Sequence, residues 1–215
     1  GTIDSELASM TKYWLTEKLC ETVDRCVQLF GGYGYTKEFM AELFFRETRI
    51  HTIHEGATAI HGMDLLGRKV MMKDGQATML LMQEVMNDIE KAKQHESLKP
   101  YAEALEKKLV NLQEITVHLL GVAQSKGPEA YLSDATLYLE LFSILTIAWQ
   151  WLKQGVTAEE LKAAGSKQYS NEFIASKHHA LQYFFEYELP KTEGLATRLK
   201  SKNKVTLNAT AEEIV

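Results

Sequence analysis

Glu55 is followed directly by Gly56, and the pair closes a stretch in which apolar residues recur at helical spacing, ending at Ile53. A carboxylate there has the makings of a general base. The negative end of the helix dipole disfavours its charge, partial burial would raise its pKa further, and removal of a weakly acidic proton calls for such a raised value. Upstream lies the run Gln28-Leu29-Phe30-Gly31-Gly32-Tyr33-Gly34-Tyr35-Thr36. Glycines in this position end a helix by taking the left-handed conformation. They also let a backbone lie close to the phosphates or adenosine of a dinucleotide, because no Cβ intervenes. No strand precedes the run, so it is not the strand-turn-helix dinucleotide fingerprint.

Other chemistry-bearing residues crowd the same region. His51 and His54 sit three apart, as do His61 and Asp64, with Glu55 between the pairs. Helical metal sites use Glu-x-x-His pairs from opposing helices with further carboxylates. The order here differs and no second matching pair occurs, so no metal is expected. His178 and His179 read as surface residues. Arg46 falls on an apolar stripe, which makes it a candidate buried ion-pair partner for Glu42, four residues earlier.

The elements that must position these groups are all helical. No stretch has a period of two, and only Pro100, Pro128 and Pro190 interrupt a chain of 215 residues. Helix one spans about Asp4 to Phe30, with Leu15, Leu19, Val23, Cys26 and Phe30 on one stripe, stopped by Gly31 and Gly32. Thr36 can cap helix two, favoured by Glu38. Phe39, Leu43, Ile50 and Ile53 mark its apolar stripe, and Gly56 ends it. Helix three runs from about Thr58 to Met72 and breaks at Asp74-Gly75. Further helices are expected over Gln76 to His95, Tyr101 to Gln124, and from Pro128 to Gln154. Gly155 ends the last of these, and Thr157-Ala158-Glu159-Glu160 is a capping-box pattern. A final helix carries Ile174, Leu181, Phe185 and Leu189, disturbed by Pro190. The polar tail from Ser201 to Val215 shows no period. A domain border is expected between Leu66 and Gly75.

Composition narrows the function. A formal net charge of −5 and a pI near 5.8 are not the basic footprint of a nucleic-acid binder. Ala135 to Leu152 approaches the length of a membrane span, but Glu140 and Gln150 interrupt it and its apolar residues keep helical spacing, so it reads as the buried centre of a bundle. Cys20 and Cys26 lie six apart and face different directions on one helix, so no disulfide is expected and the pattern fits a reducing cytoplasm. The opening residues carry no signal-peptide pattern. Because the chain reads as a piece of a longer polypeptide, Gly1 says nothing about targeting.

In order and at this spacing, the two glycine-bearing strings resemble the C-terminal signature of the acyl-CoA dehydrogenases. In that family a Gln-x-x-Gly-Gly-x-Gly-Tyr stretch precedes an Arg-Asp-Ala-x-Ile helix, matched here by Arg46-Glu47-Thr48-Arg49-Ile50. A Tyr-Glu-Gly-Thr turn with the catalytic glutamate comes next, matched by His54-Glu55-Gly56-Ala57. The string His61-Gly62-Met63-Asp64-Leu65-Leu66-Gly67-Arg68-Lys69-Val70 is similar to the last core helix of a long subgroup with an extra helical C-terminal domain. Leu189-Pro190-Lys191-Thr192 resembles that subgroup's closing region. The resemblance implies that Glu55 removes the α-proton of an acyl-CoA thioester while hydride goes to FAD. Gly56 would polarise the thioester carbonyl. Gln28, Leu29, Phe30, Gly31 and Gly32 would meet the ADP half of FAD. Ala57 replaces the usual threonine, a flavin contact, and Thr58 offers a hydroxyl one residue on. His54 replaces an aromatic residue that lines the substrate site. Arg46 matches a structural arginine.

The reading is an all-α chain with two parts. Residues 1–72 form a partial acyl-CoA dehydrogenase C-terminal bundle carrying the catalytic segment, and residues 73–215 form an accessory helical bundle. The resemblance implies FAD as cofactor, an acyl-CoA substrate, an electron-transfer flavoprotein or similar acceptor, and a homo-oligomer. The isolated chain, lacking the family's β domain, is expected to be inactive. The alternative is a helical interaction module that kept the scaffold and lost the chemistry.

Overall fold

The computed structural model describes residues 2–165, 168–210 and 212. Among them there is no strand, and the fold is an all-α bundle. Its centre is α7 (Ala135–Ala163). Between Tyr138 and Leu152 this helix is apolar on most sides, so most of its surface there must be covered. Tyr138, Leu139, Phe142, Leu145, Ala148 and Leu152 are all buried. By length and composition α7 could cross a membrane, and 67% of its most apolar window is buried inside the bundle.

Around α7 pack α1 (Thr2–Phe30), α3 (Thr58–Asp64), α4 (Gln76–Ala92), α5 (Lys99–Lys126), α8 (Asn171–Tyr183) and α9 (Thr192–Leu199). The predicted stripes of α4 and α5 face this core, since Leu81, Val85, Ile89, Leu105, Leu112 and Leu119 are buried. Met10, Leu65, Leu66 and Val70 join the same hydrophobic cluster. The chain reverses after the π-helical turn Leu65–Lys69, where Lys73, Asp74 and Gly75 all take positive φ. The Leu66 carbonyl of that π turn accepts a bond from the Tyr131 hydroxyl at 2.6 Å. The short helix α6 (Pro128–Leu132) that carries Tyr131 precedes α7.

Several expectations need correction. Gly155 does not end a helix: α7 runs through it to Ala163. A Cβ at Gly155 would stand 2.6 Å from Leu181 Cδ1 and 3.0 Å from Leu98 Cδ2, so the glycine lets α8 and the start of α5 come close. Thr157 caps nothing. It lies inside α7 and its hydroxyl donates to the Lys153 carbonyl at 3.1 Å. The true cap of α8 is Ser170, which accepts from the Phe173 N–H at 3.2 Å. Thr36 does not cap helix two either, because its hydroxyl donates to the Tyr33 carbonyl at 3.1 Å and α2 (Ala41–Thr48) starts at Ala41. The tail is not wholly irregular. Lys204 is buried and pairs with Asp134 at 2.7 Å, and α10 (Val205–Asn208) comes directly after it. Ala211 and residues 213–215 of that tail lie outside the described residues.

Helix α1 has 29 residues, about 40 Å at 1.5 Å per residue. Its first half rests on the core: Met10 is 1% exposed, whereas Leu29 near the far end is 86% exposed. The expected stripes of helices one and two are largely uncovered. Leu15, Leu19, Phe30, Phe39, Ile50 and Ile53 are exposed, as are Phe44 and Phe45 of α2, while Val23 is buried. The outer end of α1, with α2 against it, carries the first glycine-bearing turn, and the second lies beside Lys12 in the first half of α1.

Candidate active site

Helix α1 ends at Phe30, and Gly31 turns the chain with φ +58° into the 3-10 segment Gly31–Tyr35. A side chain at Gly31 would be strained in that left-handed conformation. Gly34 is required for a different reason. A Cβ there would lie 2.4 Å from the Val27 carbonyl oxygen, so the turn packs directly on the α1 backbone. Gly32 carries neither constraint: its φ is not positive and nothing lies within 4 Å of where a Cβ would be. Phe39 braces the turn, with ring centroids 5.3 Å from Tyr33 and 5.8 Å from Phe30. Gln28, Leu29, Phe30, Gly31 and Gly32 are all exposed.

The second turn comes after a 3-10 segment, Arg49–Thr52, into which α2 tightens. Here the Arg49 guanidinium donates to Thr52 Oγ1 at 2.9 Å. The last bonds of this segment run from the Ile53 and His54 N–H groups to the Ile50 carbonyl, at 3.0 and 2.8 Å. Glu55 therefore does not sit at a helix end inside an apolar stripe, as the spacing predicts. It sits in an exposed turn beyond the 3-10 segment, where the α-helical bonding of α2 has already ended at Thr48. Glu55 has φ +57° and Gly56 φ +100°, both in the region that L side chains occupy at a cost.

Two side chains hold this turn from behind. The Lys12 ammonium of α1 donates to the Gly56 carbonyl at 2.6 Å. His61 of α3 places Nε2 3.1 Å from the Glu55 carbonyl oxygen. The other ring nitrogen, Nδ1, is 3.5 Å from Ser9 Oγ, and Ser9 Oγ accepts from the buried Lys69 ammonium at 2.7 Å. Lys69 also donates to the Ser5 carbonyl at 2.7 Å and pairs with Asp64 at 3.0 Å. Beside it the buried Glu6 accepts from Thr78 at 2.7 Å, and burial pushes the Glu6 carboxyl above its ordinary range. Ala57 is extended at the start of α3, and the Thr58 hydroxyl donates to the Glu17 carboxylate at 2.5 Å. His54, Glu55 and Ala57 are exposed, and Gly56 and Thr58 half-buried. Among the described residues no cation pairs with the Glu55 carboxylate and no acceptor meets the Gly56 N–H.

The remaining candidates have other occupations. Asp64 is tied to Arg68 at 2.6 Å, which with Lys69 holds its carboxyl below the usual carboxylate range. Arg46 is not buried: it is exposed and lies nearest to Glu47, at 3.8 Å, rather than to Glu42. Among the described residues no three or more His, Cys, Asp or Glu side chains cluster as a metal site. Cys20 and Cys26 are free thiols. The sequence marks His61 in a metal-like spacing and in the family-like string from His61 to Val70, and it singles out neither Lys12 nor Ser9. Lys12 lies 44 residues from Gly56, so no local spacing could have joined them.

Residues 1–71 match the family model described as "Acyl-CoA dehydrogenase, C-terminal domain", and residues 81–210 match "Acetyl-CoA dehydrogenase C-terminal like". The chain is 29% identical over 205 residues to the 3-methylmercaptopropionyl-CoA dehydrogenase of Ruegeria pomeroyi, covering 94% of this chain and 34% of that protein. It is 24% identical over 180 residues to a broad-specificity linear acyl-CoA dehydrogenase of Mycobacterium tuberculosis, covering 81% of this chain and 30% of that one. A 53-residue stretch is 45% identical to the mitochondrial short/branched chain specific acyl-CoA dehydrogenase of Rattus norvegicus, 25% of this chain and 12% of that protein. The chain thus spans about a third of the length of the relatives that match most of it. The cytoplasmic expectation is overturned by mitochondrial relatives in rat, in Bos taurus and in Dictyostelium discoideum. Free thiols fit any reducing compartment, so they could not single out the cytoplasm. With both family models matched in order over nearly all its length, this chain belongs to the acyl-CoA dehydrogenase family.

Proposed function

We propose that this chain supplies the catalytic base and part of the FAD-binding surface of a flavin-dependent acyl-CoA dehydrogenase. The observation that carries this reading is the Glu55–Gly56 turn. Its two carbonyls are tied back to α3 and α1, while among the described residues the Glu55 carboxylate and the Gly56 N–H have no partner. Glu55 takes the α-proton of an acyl-CoA thioester. The Gly56 N–H donates to the thioester carbonyl oxygen, where negative charge grows as that proton leaves. A bound FAD supplies the hydride acceptor for the β-carbon. The substrate itself displaces water from the exposed turn, and His54 lines the acyl path.

Around the cofactor, Gly32 offers backbone to which a dinucleotide can come close. It is the one glycine of its turn that neither sterics nor φ requires. Gln28, Leu29, Phe30 and Gly31 flank it, and Ala57 and Thr58 would hold the flavin from the second turn. The Thr58 hydroxyl spends its proton on Glu17 and keeps an acceptor site. Residues 1–72 are the catalytic segment and residues 73–215 the accessory bundle. The electron acceptor is an electron-transfer flavoprotein or a similar protein. The exposed apolar side chains of α1 and α2 are covered in a homo-oligomer.

The test is Glu55→Gln in the enzyme that carries this chain. The shape is kept and the basicity lost. Flavin reduction by a good acyl-CoA should fall at least about a hundredfold, the low end for a general base, with FAD content and acyl-CoA binding nearly unchanged. Reduction at close to the wild-type rate would place the base elsewhere.

A further inference from the structure

The geometry points to a second small-molecule site, in the groove between the C-terminal half of α7 and the start of α8, which takes an aliphatic carboxylate. The site involves neither glycine-bearing turn and does not rest on the role of Glu55.

The groove follows from the sequence of two helices. Lys153, Thr157, Ala158 and Leu161 recur at helical spacing, so they share one face of α7. Phe173, Ile174 and Lys177 do the same on α8, whose first turn is fixed by its Ser170 cap. Gly155 lets α8 come close to α7 at Leu181. Beyond that contact the buried Ala158 and Ile174 form a floor, and a cavity of about 490 Å³ remains between the helices. That volume lies within the roughly 300–1,000 Å³ of small-molecule sites. Tyr169 and Phe173 wall one side, stacked with ring centroids 5.1 Å apart. Both rings are exposed, and an apolar ligand that covers them removes apolar surface from water.

Charge selects among apolar ligands. The chain carries a formal net charge of −5, yet this lining has two lysines and no carboxylate. Lys177 Nζ stands 4.6 Å from the centre of the Phe173 ring, and among the described residues no carboxylate pairs with it. Lys153 Nζ stands 4.8 Å from the centre of the Trp149 ring. Its carboxylate neighbour, Asp88 Oδ2, is 3.8 Å away and already accepts from Trp149 Nε1 at 2.9 Å. Lys91 donates to the other Asp88 oxygen at 2.8 Å. A ring face attracts an ammonium more weakly than a carboxylate does, so both lysines have more to gain from an anion. Lysine lays its methylenes on apolar surface and keeps its charge at the water boundary. The two ammoniums therefore mark the mouth of an apolar groove. A ligand that fits lays an aliphatic body on Ala158, Leu161 and Ile174 and sets one negative head beside Lys153 and Lys177.

The experiment titrates decanoate by calorimetry into the 215-residue chain and into the enzyme that carries it. One site per chain is expected in the groove. Octanoate should bind about four- to fifteenfold more weakly, since each methylene taken from water contributes up to about fourfold. Decanol keeps the body and lacks the charge, and should bind about tenfold more weakly than decanoate. Lys153→Met and Lys177→Met should each weaken decanoate about two- to fivefold, as for exposed ion pairs, and leave decanol unchanged. Thr157→Phe, at an exposed position on the same face, fills the groove. It should remove one decanoate site per chain from the enzyme while flavin reduction by acyl-CoA is unchanged. Decanol that binds as tightly as decanoate would overturn the inference, as would lysine variants that bind decanoate like wild type. So would a Thr157→Phe protein with its site intact, or a titration that runs on without saturating. Binding to the chain that is lost in the enzyme would show the groove filled by the rest of the enzyme, and would overturn it too. Each of these results is separate from whether Glu55→Gln slows flavin reduction.

Discussion

The three glycines at the end of α1 should respond differently to alanine, and the contrast separates a helix stop from a ligand contact. At Gly34 a Cβ would sit 2.4 Å from the Val27 carbonyl oxygen. That atom is backbone and cannot swing aside, so the 3-10 turn must lift from α1 at a cost of about 1–3 kcal/mol, the range for overpacking. At Gly31 nothing obstructs a methyl group, but φ is +58°, and the left-handed region costs a non-glycine residue about 1–2 kcal/mol. At Gly32 neither penalty applies, and loss of glycine entropy from the unfolded chain should leave stability unchanged or raise it by about 0.4–1 kcal/mol. At roughly 2–4 °C per kcal/mol for a chain of this size, Gly34→Ala should lower the unfolding midpoint by about 2–12 °C and Gly31→Ala by about 2–8 °C. Gly32→Ala should not lower it. Circular dichroism melts measure the midpoint, and amide exchange at Tyr35 and Thr36 catches opening confined to the turn. FAD content of the enzyme that carries the chain supplies the other half: Gly32→Ala should lose flavin although its turn is intact. A Gly32→Ala protein that melts as low as Gly34→Ala, or that keeps full flavin, would refute the reasoning.

Two further outcomes are expected. Burial raises the Glu6 carboxyl above its unfolded value, so its contribution to stability is fully present below the unfolded pKa and is lost as pH rises through the folded one. Glu6→Gln keeps the acceptor for Thr78 and gives the unpaired Oε2 position an amide. It should therefore gain stability over wild type in melts above about pH 4.5 and lose the advantage below it, whereas an advantage that grows toward acid would contradict the assignment. The exposed apolar residues of α1 and α2, Leu15 at 59% and Phe44 at 51% among them, form more uncovered surface than a monomer usually leaves in water. Sedimentation should show concentration-dependent self-association that Leu15→Glu with Phe44→Glu reduces. A wild-type chain that stays monomeric at high concentration would show the face to be solvated.

The helices of the core were legible in the sequence because their signal is local. Leu81, Val85 and Ile89, or Leu105, Leu112 and Leu119, repeat at the period of a helix with one side buried, and periodicity depends only on neighbours along the chain. The order of the Gly31-Gly32 and Glu55-Gly56 strings was legible in the same way, and it pointed to the family that the comparisons show. Punctuation was not. Gly155 looks like a stop, yet α7 passes through it because Leu98 and Leu181 fill the space where its side chain would be. Thr36 and Thr157 look like caps, yet each hydroxyl turns back to a nearby carbonyl. The path of the chain at a glycine or a threonine depends on the groups that pack against it, and sequence does not record them. The same holds for the site. Sequence marked Glu55 but placed it at the end of a helix, whereas the structure sets it in an exposed left-handed turn. The groups that fix that turn come from Lys12 of α1 and His61 of α3. Residue order and spacing marked Glu55 and the two glycine strings as candidates for the chemistry. Only the packing of α1 against α3 decided which side chains hold the turn, because a hydrogen bond across 44 residues exists only once the helices that bring its ends together have found their common core.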